Sequence, residues 1–185
     1  MSNINKYFKR ACRFIENNQI DRLIKEIKKY PKLKSYFYKK SGMSLIHEAH
    51  FSSIECVLAL LENGVPIDLP DDTGSTVLID SSSVGDLKLA KELIEFKPNI
   101  NHKNNSGETA FSFACARDEF EMAKFLYEHG AEINTVDNGG GTPLDWAICY
   151  ASPEFRTWLK SIGGIRKSTH EEWAYPPPNM SIDDD

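Results

Sequence analysis

Asn138-Gly139-Gly140-Gly141-Thr142-Pro143-Leu144-Asp145-Trp146-Ala147 poses a choice between a phosphate-cradling loop and a turn that feeds a helix. A nucleotide loop of the GxxxxGK[ST] kind needs a lysine and a hydroxyl after its glycines to meet phosphate and magnesium, and here Pro143 and Leu144 follow Thr142. The remaining residues suit a turn. Glycine supplies positive φ without steric cost, threonine caps a helix with its hydroxyl, and proline tolerates the first helical position, where an N–H has no partner anyway.

The same beat recurs along the chain. Gly42-Met43-Ser44, Gly74-Ser75-Thr76, Gly107-Glu108-Thr109 and Gly140-Gly141-Thr142 follow one another at steps of 32, 33 and 33 residues. Seven residues after the glycine stands a small side chain, Ala49, Ser81, Ala114 or Ala147, which lets two helices approach closely. Apolar pairs come next, Leu60-Leu61, Leu93-Ile94, Phe125-Leu126 and Trp158-Leu159, and then Asn63-Gly64, Phe96-Lys97, His129-Gly130 and Ile162-Gly163. Each unit is therefore helix, turn, helix, loop, and a period held over four units is the signature of a repeat array.

These residues resemble the ankyrin repeat, whose 33-residue unit carries a G-x-T-P-L-H-x-A signature and an L-L-x-x-G-A ending. The resemblance covers residues 41–164 and is clearest in Gly107 to Ala114, in His129 to Asn134 and in Thr142 to Ala147. The first unit keeps the family histidine as His47. The second departs from the pattern at Thr76 to Ser81, and its Lys97 stands where the family has glycine, so that helix end is expected to be strained or reshaped. The expected fold is all-α: an ankyrin-repeat solenoid of helix-turn-helix units with short β-turn tips, four repeats over 41–164 and a degenerate helical cap over 1–40, with an irregular tail over 165–185.

Both flanks have features of their own. Phe8, Ala11, Cys12 and Ile15 form one apolar stripe; Ile20, Leu23, Ile24 and Ile27 form another on a helix that stops before Pro31. Residues 1–40 carry 12 Lys/Arg against 3 Asp/Glu, whereas residues 41–185 carry 10 against 24. The basic charges interrupt an amphipathic pattern and suit the solvated outer face of an end unit, so no nucleic-acid partner is expected. The tail holds Trp173-Ala174-Tyr175-Pro176-Pro177-Pro178, a polyproline-type stretch whose aromatics either pack on the last repeat or meet a partner.

No constellation of catalytic residues is present. His47 and His50 lack the H-E-x-x-H spacing, and Cys12, Cys56, Cys115 and Cys149 form no C-x-x-C pair, so no metal is expected and the thiols are expected to be buried and reduced. Ser81, Ser82 and Ser83 have no nucleophile elbow around them, and Asp71 and Asp72 suit a turn. Neither catalytic nor cofactor-binding residues are expected. Met1 to Arg10 lacks the apolar stretch of a signal peptide and no run suffices for a membrane span, which gives an expected cytoplasmic location.

In the ankyrin family, partners are met by residues flanking the tip glycine and by the exposed end of the first helix. Carried over by position, the expected contact residues are Asp72, Thr73 and Ser75, Asp80 and Ser83, Asn105, Ser106 and Glu108, Phe113 and Arg117, and Asn138, Trp146 and Tyr150. Aromatics beside carboxylates suit a single folded, basic protein partner steered by charge, with the chain otherwise monomeric. A short acidic array without a catalytic domain resembles the stand-alone ankyrin proteins of bacteria, some of which act as immunity proteins against secreted toxins. The alternative is a secreted effector or regulatory scaffold that recruits a host or cellular protein.

Overall fold

A computed structural model describes residues 3–38 and 41–167; the Trp173 to Pro178 stretch lies outside them. The described elements are α1 (Asn3–Glu16), α2 (Ile20–Lys29), a 3-10 turn (Pro31–Ser35), β1 (Phe37–Tyr38), β2 (Met43–Ser44), α3 (Leu45–His50), α4 (Ile54–Glu62), α5 (Val77–Ser83), α6 (Leu87–Glu95), α7 (Ala110–Ala116), α8 (Phe120–Glu128), α9 (Pro143–Tyr150) and α10 (Pro153–Ser161). The fold is thus all-α, an ankyrin-type solenoid of paired short helices, with the two-residue strands β1 and β2 pairing antiparallel as Phe37 with Ser44 and Tyr38 with Met43. Two compact units divide it. One comprises the residues up to Ser81 together with Lys88–Asn99; the other comprises Ser82–Leu87 and the residues from Ile100 on.

In the first unit the stripes expected on α1 and α2 turn inward. Phe8, Ala11, Ile15, Leu23 and Ile27 are buried, with Cys12, Ile20 and Ile24 half-buried beside them. Glu26 is buried with its charge answered: the Arg10 guanidinium forks onto the carboxylate, Nε to Oε1 at 2.8 Å and Nη2 to Oε2 at 2.6 Å. Such a paired geometry is what makes a buried carboxylate tolerable. Leu45, Ile46 and Ala49 of α3, Val57 and Leu60 of α4, and Leu89, Ala90 and Leu93 of α6 complete this core.

The second unit buries Phe111, Ala114 and Cys115 of α7, Met122, Ala123 and Leu126 of α8, Leu144 and Ala147 of α9, and Phe155 and Leu159 of α10. Phe120 stacks on Phe155 at 4.7 Å between ring centroids and meets Trp158 edge-on at 5.3 Å. Capping boxes start both inner helices. Thr109 and Ser112 close the one before α7, and Thr142 and Asp145 close the one before α9, where Pro143 takes the first helical position.

The loops repeat with the helices. Asp71, Asn104 and Asp137 each accept two backbone N–H bonds on Oδ1, from residues two and four further on, at 2.8–3.0 Å. The turn each one closes places its glycine at positive φ, +81° at Gly74, +79° at Gly107 and +86° at Gly140. The opening triplet is therefore one such turn: Gly139 and Gly141 donate to Asp137 while Gly140 takes the left-handed conformation. Gly107 has a second reason to lack a side chain, since a Cβ there would lie 2.8 Å from Asn138 Oδ1. In the tip before α3, the carbonyl of Tyr38, four residues ahead of Gly42, accepts from Ser41 and Gly42, and the paired strands β1 and β2 flank the turn.

A second set of rungs ties the outer loop of one repeat to that of the next within each compact unit. Asp68 accepts from the Asn99 N–H, Asn101 from Glu132 and Asn134 from Ile165, at 2.8–3.0 Å for Oδ1 in each case. Asn101 and Asn134 also donate to the carbonyls of Gly130 and Gly163, a bond that the carboxylate of Asp68 has no proton to make. The helix end next to it is Lys97, held at φ +55° where its counterparts Gly64, Gly130 and Gly163 lie at +81°, +92° and +94°. The strain expected from the lysine is present.

All four cysteines are free. Cys56 and Cys115 are buried as expected, whereas Cys12 and Cys149 are half-buried, and burial raises their thiols to about 12 and about 11.

Candidate partner-binding cleft

His47 shows how a tip is coupled to a helix in the first unit. Its Nε2 lies 3.0 Å from the Ser75 carbonyl, which only accepts, so Nε2 carries the proton and Nδ1 accepts from the Ser44 hydroxyl at 2.8 Å. Burial lowers the imidazole's pKa, keeping that neutral tautomer. Asp72 and Thr73 of this tip are exposed. Ser75 is not a tip contact: it is 6% exposed, its N–H is spent on Asp71 and its carbonyl on His47. Asp80, half-buried on α5, has its carboxyl raised to about 6 by burial and then by the charge of Asp71.

The second unit builds a cleft. Packed side by side, α7 and α9 present Ser112, Phe113, Ala116 and Arg117 from one wall and Trp146 and Tyr150 from the other, with Glu108 at the tip; the space between is about 280 Å³. The aromatic wall is preset. Trp146 donates its indole N–H to Asp137 Oδ2 at 2.7 Å, and its ring lies 6.2 Å from that of Tyr150 at an interplanar angle of 18°. Asp137 thus holds the loop with one oxygen and the indole with the other. Tyr150 is 49% exposed, Arg117 is exposed, and Phe113, Trp146 and Glu108 are half-buried.

Of the residues expected at the partner surface, Glu108, Phe113, Arg117, Trp146 and Tyr150 line this one cleft. Asn105, Ser106 and Asn138 are exposed on the adjoining tips, where Asn138 donates its amide to the Asn105 carbonyl at 2.9 Å and its backbone N–H to Ser106 at 2.9 Å. Ser83, half-buried on α5, does not line the cleft, and Asp72, Thr73 and Asp80 belong to the first unit. Sequence reasoning missed Asp137 as the residue that fixes Trp146. Its position, 33 residues after Asn104 and 66 after Asp71, marks it as a turn residue and gives no sign of the indole bond.

Among the described residues, no group of three or more His, Cys, Asp or Glu is placed to hold a metal ion, and no helix is long and apolar enough to cross a membrane. What the second unit offers instead is a pair of capped inner helices with an open cleft between them and exposed loop tips beside it, the build of a helical repeat protein that binds other proteins. Residues 78–169 match the family model for ankyrin repeats, in three copies, and the chain belongs to the ankyrin repeat family. A comparison with curated proteins finds no match. Membership of this family makes the chain a protein–protein interaction module.

Proposed function

We propose that the chain is a non-enzymatic binder of one folded, basic protein, which it engages through the cleft between α7 and α9 and the tips beside it, and that it works as an inhibitor in the manner of an immunity protein against a secreted toxin. The reading takes residues 41–73 as a further repeat before the matched segment. The observation that carries it is the aromatic wall of Trp146 and Tyr150, locked by Asp137 yet left open to solvent in the second unit. Rigid, exposed aromatics at the centre of a surface are the residue types on which binding energy concentrates. Charge gives the partner its sign, since residues 41–185 carry 24 Asp/Glu against 10 Lys/Arg. A toxin that handles nucleic acid is basic and would be steered to such a surface.

The test is affinity capture from the native cell, followed by binding and inhibition measurements with variants. Tyr150→Ala should weaken binding by about 2 kcal/mol while leaving the thermal midpoint unchanged. Trp146→Ala should lower both, because the indole is also part of the fold through Asp137. A captured protein that binds Tyr150→Ala as tightly as the parent refutes the cleft; one that binds through the cleft and keeps its own activity refutes the inhibitor.

A further inference from the structure

The cleft of the second unit is small. Its space of about 280 Å³ lies at the lower limit of small-molecule sites, which run from roughly 300 to 1,000 Å³, and suits one long side chain. The walls decide which. Glu108 Oε2 accepts from the Asn104 amide at 3.0 Å, which orients the carboxylate and leaves Oε1 without a hydrogen bond among the described residues. The neighbouring tip, joined to this one through Asn138, continues as Gly139, Gly140 and Gly141, so those residues set no side chain against that carboxylate. Phe113 and Ala116 from α7 and Trp146 and Tyr150 from α9 add apolar surface, the two α9 rings lying 18° from parallel. The single indole donor is spent on Asp137 Oδ2 at 2.7 Å, so Trp146 offers the cleft ring surface and no N–H. Arg117 caps the end of α7 away from Glu108, is exposed, and forms no ion pair among the described residues.

We propose that one arginine of the partner anchors in this cleft, its stem along the aromatic wall of Trp146 and Tyr150 and its guanidinium on Glu108; the proposal rests on the reading of this cleft as the partner surface. An arginine stem buries its methylenes on apolar surface while its head keeps a charged partner. Its planar head also lies flat against a ring while donating in its own plane to a carboxylate, which a compact, strongly hydrated ammonium does less well. Other side chains fit worse. An aliphatic or aromatic group would cover Glu108 and leave its charge unanswered, and a carboxylate would be repelled by it. Arg117 at the opposite end of α7 repels a cation there, so the guanidinium is directed to the tip. The partner's overall charge then governs encounter, and this anchor governs where it seats.

Three capped tripeptides provide the test: Gly-Arg-Gly, Gly-Lys-Gly, and Gly-citrulline-Gly, which keeps the shape of arginine without its charge. Binding is read from the Trp146 indole N–H signal in NMR titrations at millimolar peptide, with the thermal midpoint of each protein variant measured alongside. The arginine peptide should move that signal and bind about fivefold more tightly than the citrulline peptide, with the lysine peptide between them. Glu108→Gln, which keeps an acceptor for Asn104, should erase the difference between arginine and citrulline. Glu128→Gln removes an exposed carboxylate of α8 that does not line the cleft and should leave that difference intact, while Arg117→Gln should tighten the arginine peptide. Equal losses in the Glu108 and Glu128 variants would mean attraction by overall charge and overturn the proposal. So would citrulline or lysine binding as tightly as arginine, or a Trp146 signal that no peptide moves. If the native partner still depends on Tyr150 in those cases, only the anchor is wrong; if it does not, the cleft itself falls.

Discussion

At Asp80 the carboxyl titrates near 6 instead of the ordinary 3.8, because it is part-buried and faces the charge of Asp71. Raising a folded-state pKa means that the folded form binds its proton more tightly than the unfolded form does. Below about pH 3.8 both are protonated and nothing is lost; as pH rises towards 6 the unfolded chain ionises first and stability falls, then levels off above the folded pKa. Denaturant midpoints followed between pH 4 and 7 should show this decline, and Asp80→Asn should flatten it. Lys97 offers a second single-residue test. A non-glycine residue at φ +55° is strained by about 1 kcal/mol, so Lys97→Gly should raise the unfolding free energy by roughly that amount. The lysine was visible as an oddity in the sequence because three glycines define what its position expects. The Asp137 bond to the indole was not, since an aspartate before glycines already has a sufficient local explanation as a turn former.

For whole elements, the apolar periodicity and caps decide the outcome. Leu126 of α8 is fully buried, and Leu126→Ala should cost about 2–5 kcal/mol in chemical denaturation. Thr142 caps α9 through its hydroxyl, which accepts from the Asp145 N–H at 3.2 Å; Thr142→Ala should cost about 1 kcal/mol. Helices and their starts were legible, because amphipathic stripes such as Phe8, Ala11 and Ile15 and boxes such as Thr142 with Pro143 are local patterns. The loop rungs at Asp68, Asn101 and Asn134 were not read, although they keep the 33-residue step. Their partners lie some thirty residues away, and a polar residue in a loop gives no local hint of so distant a bond. Ser75 was misplaced for a related reason: its position beside the glycine suggested exposure, whereas its backbone is committed to Asp71 and His47.

Over the molecule as a whole, the charge imbalance predicts kinetics more directly than affinity. Carboxylates outnumber basic groups beyond residue 40, so association with a basic partner should slow steeply between low and physiological salt, where screening acts over about 8 Å, and dissociation should change little. Stopped-flow or surface-based rates at two ionic strengths decide it, and an on-rate indifferent to salt refutes charge steering.

The Asx turns at Asp71, Asn104 and Asp137 have a further consequence for how such a chain can change over generations. Each loop is held by one buried or half-buried side chain gripping backbone N–H groups, and a backbone N–H is supplied by every residue except proline. Asn105 and Ser106 are exposed, and the backbone bonds that close their loop are made to Asn104. A library randomised at those two positions, proline excluded, should therefore yield mostly folded proteins with altered partner preference, so that new specificities are reached by drift across a permissive surface while the scaffold beneath stays unchanged.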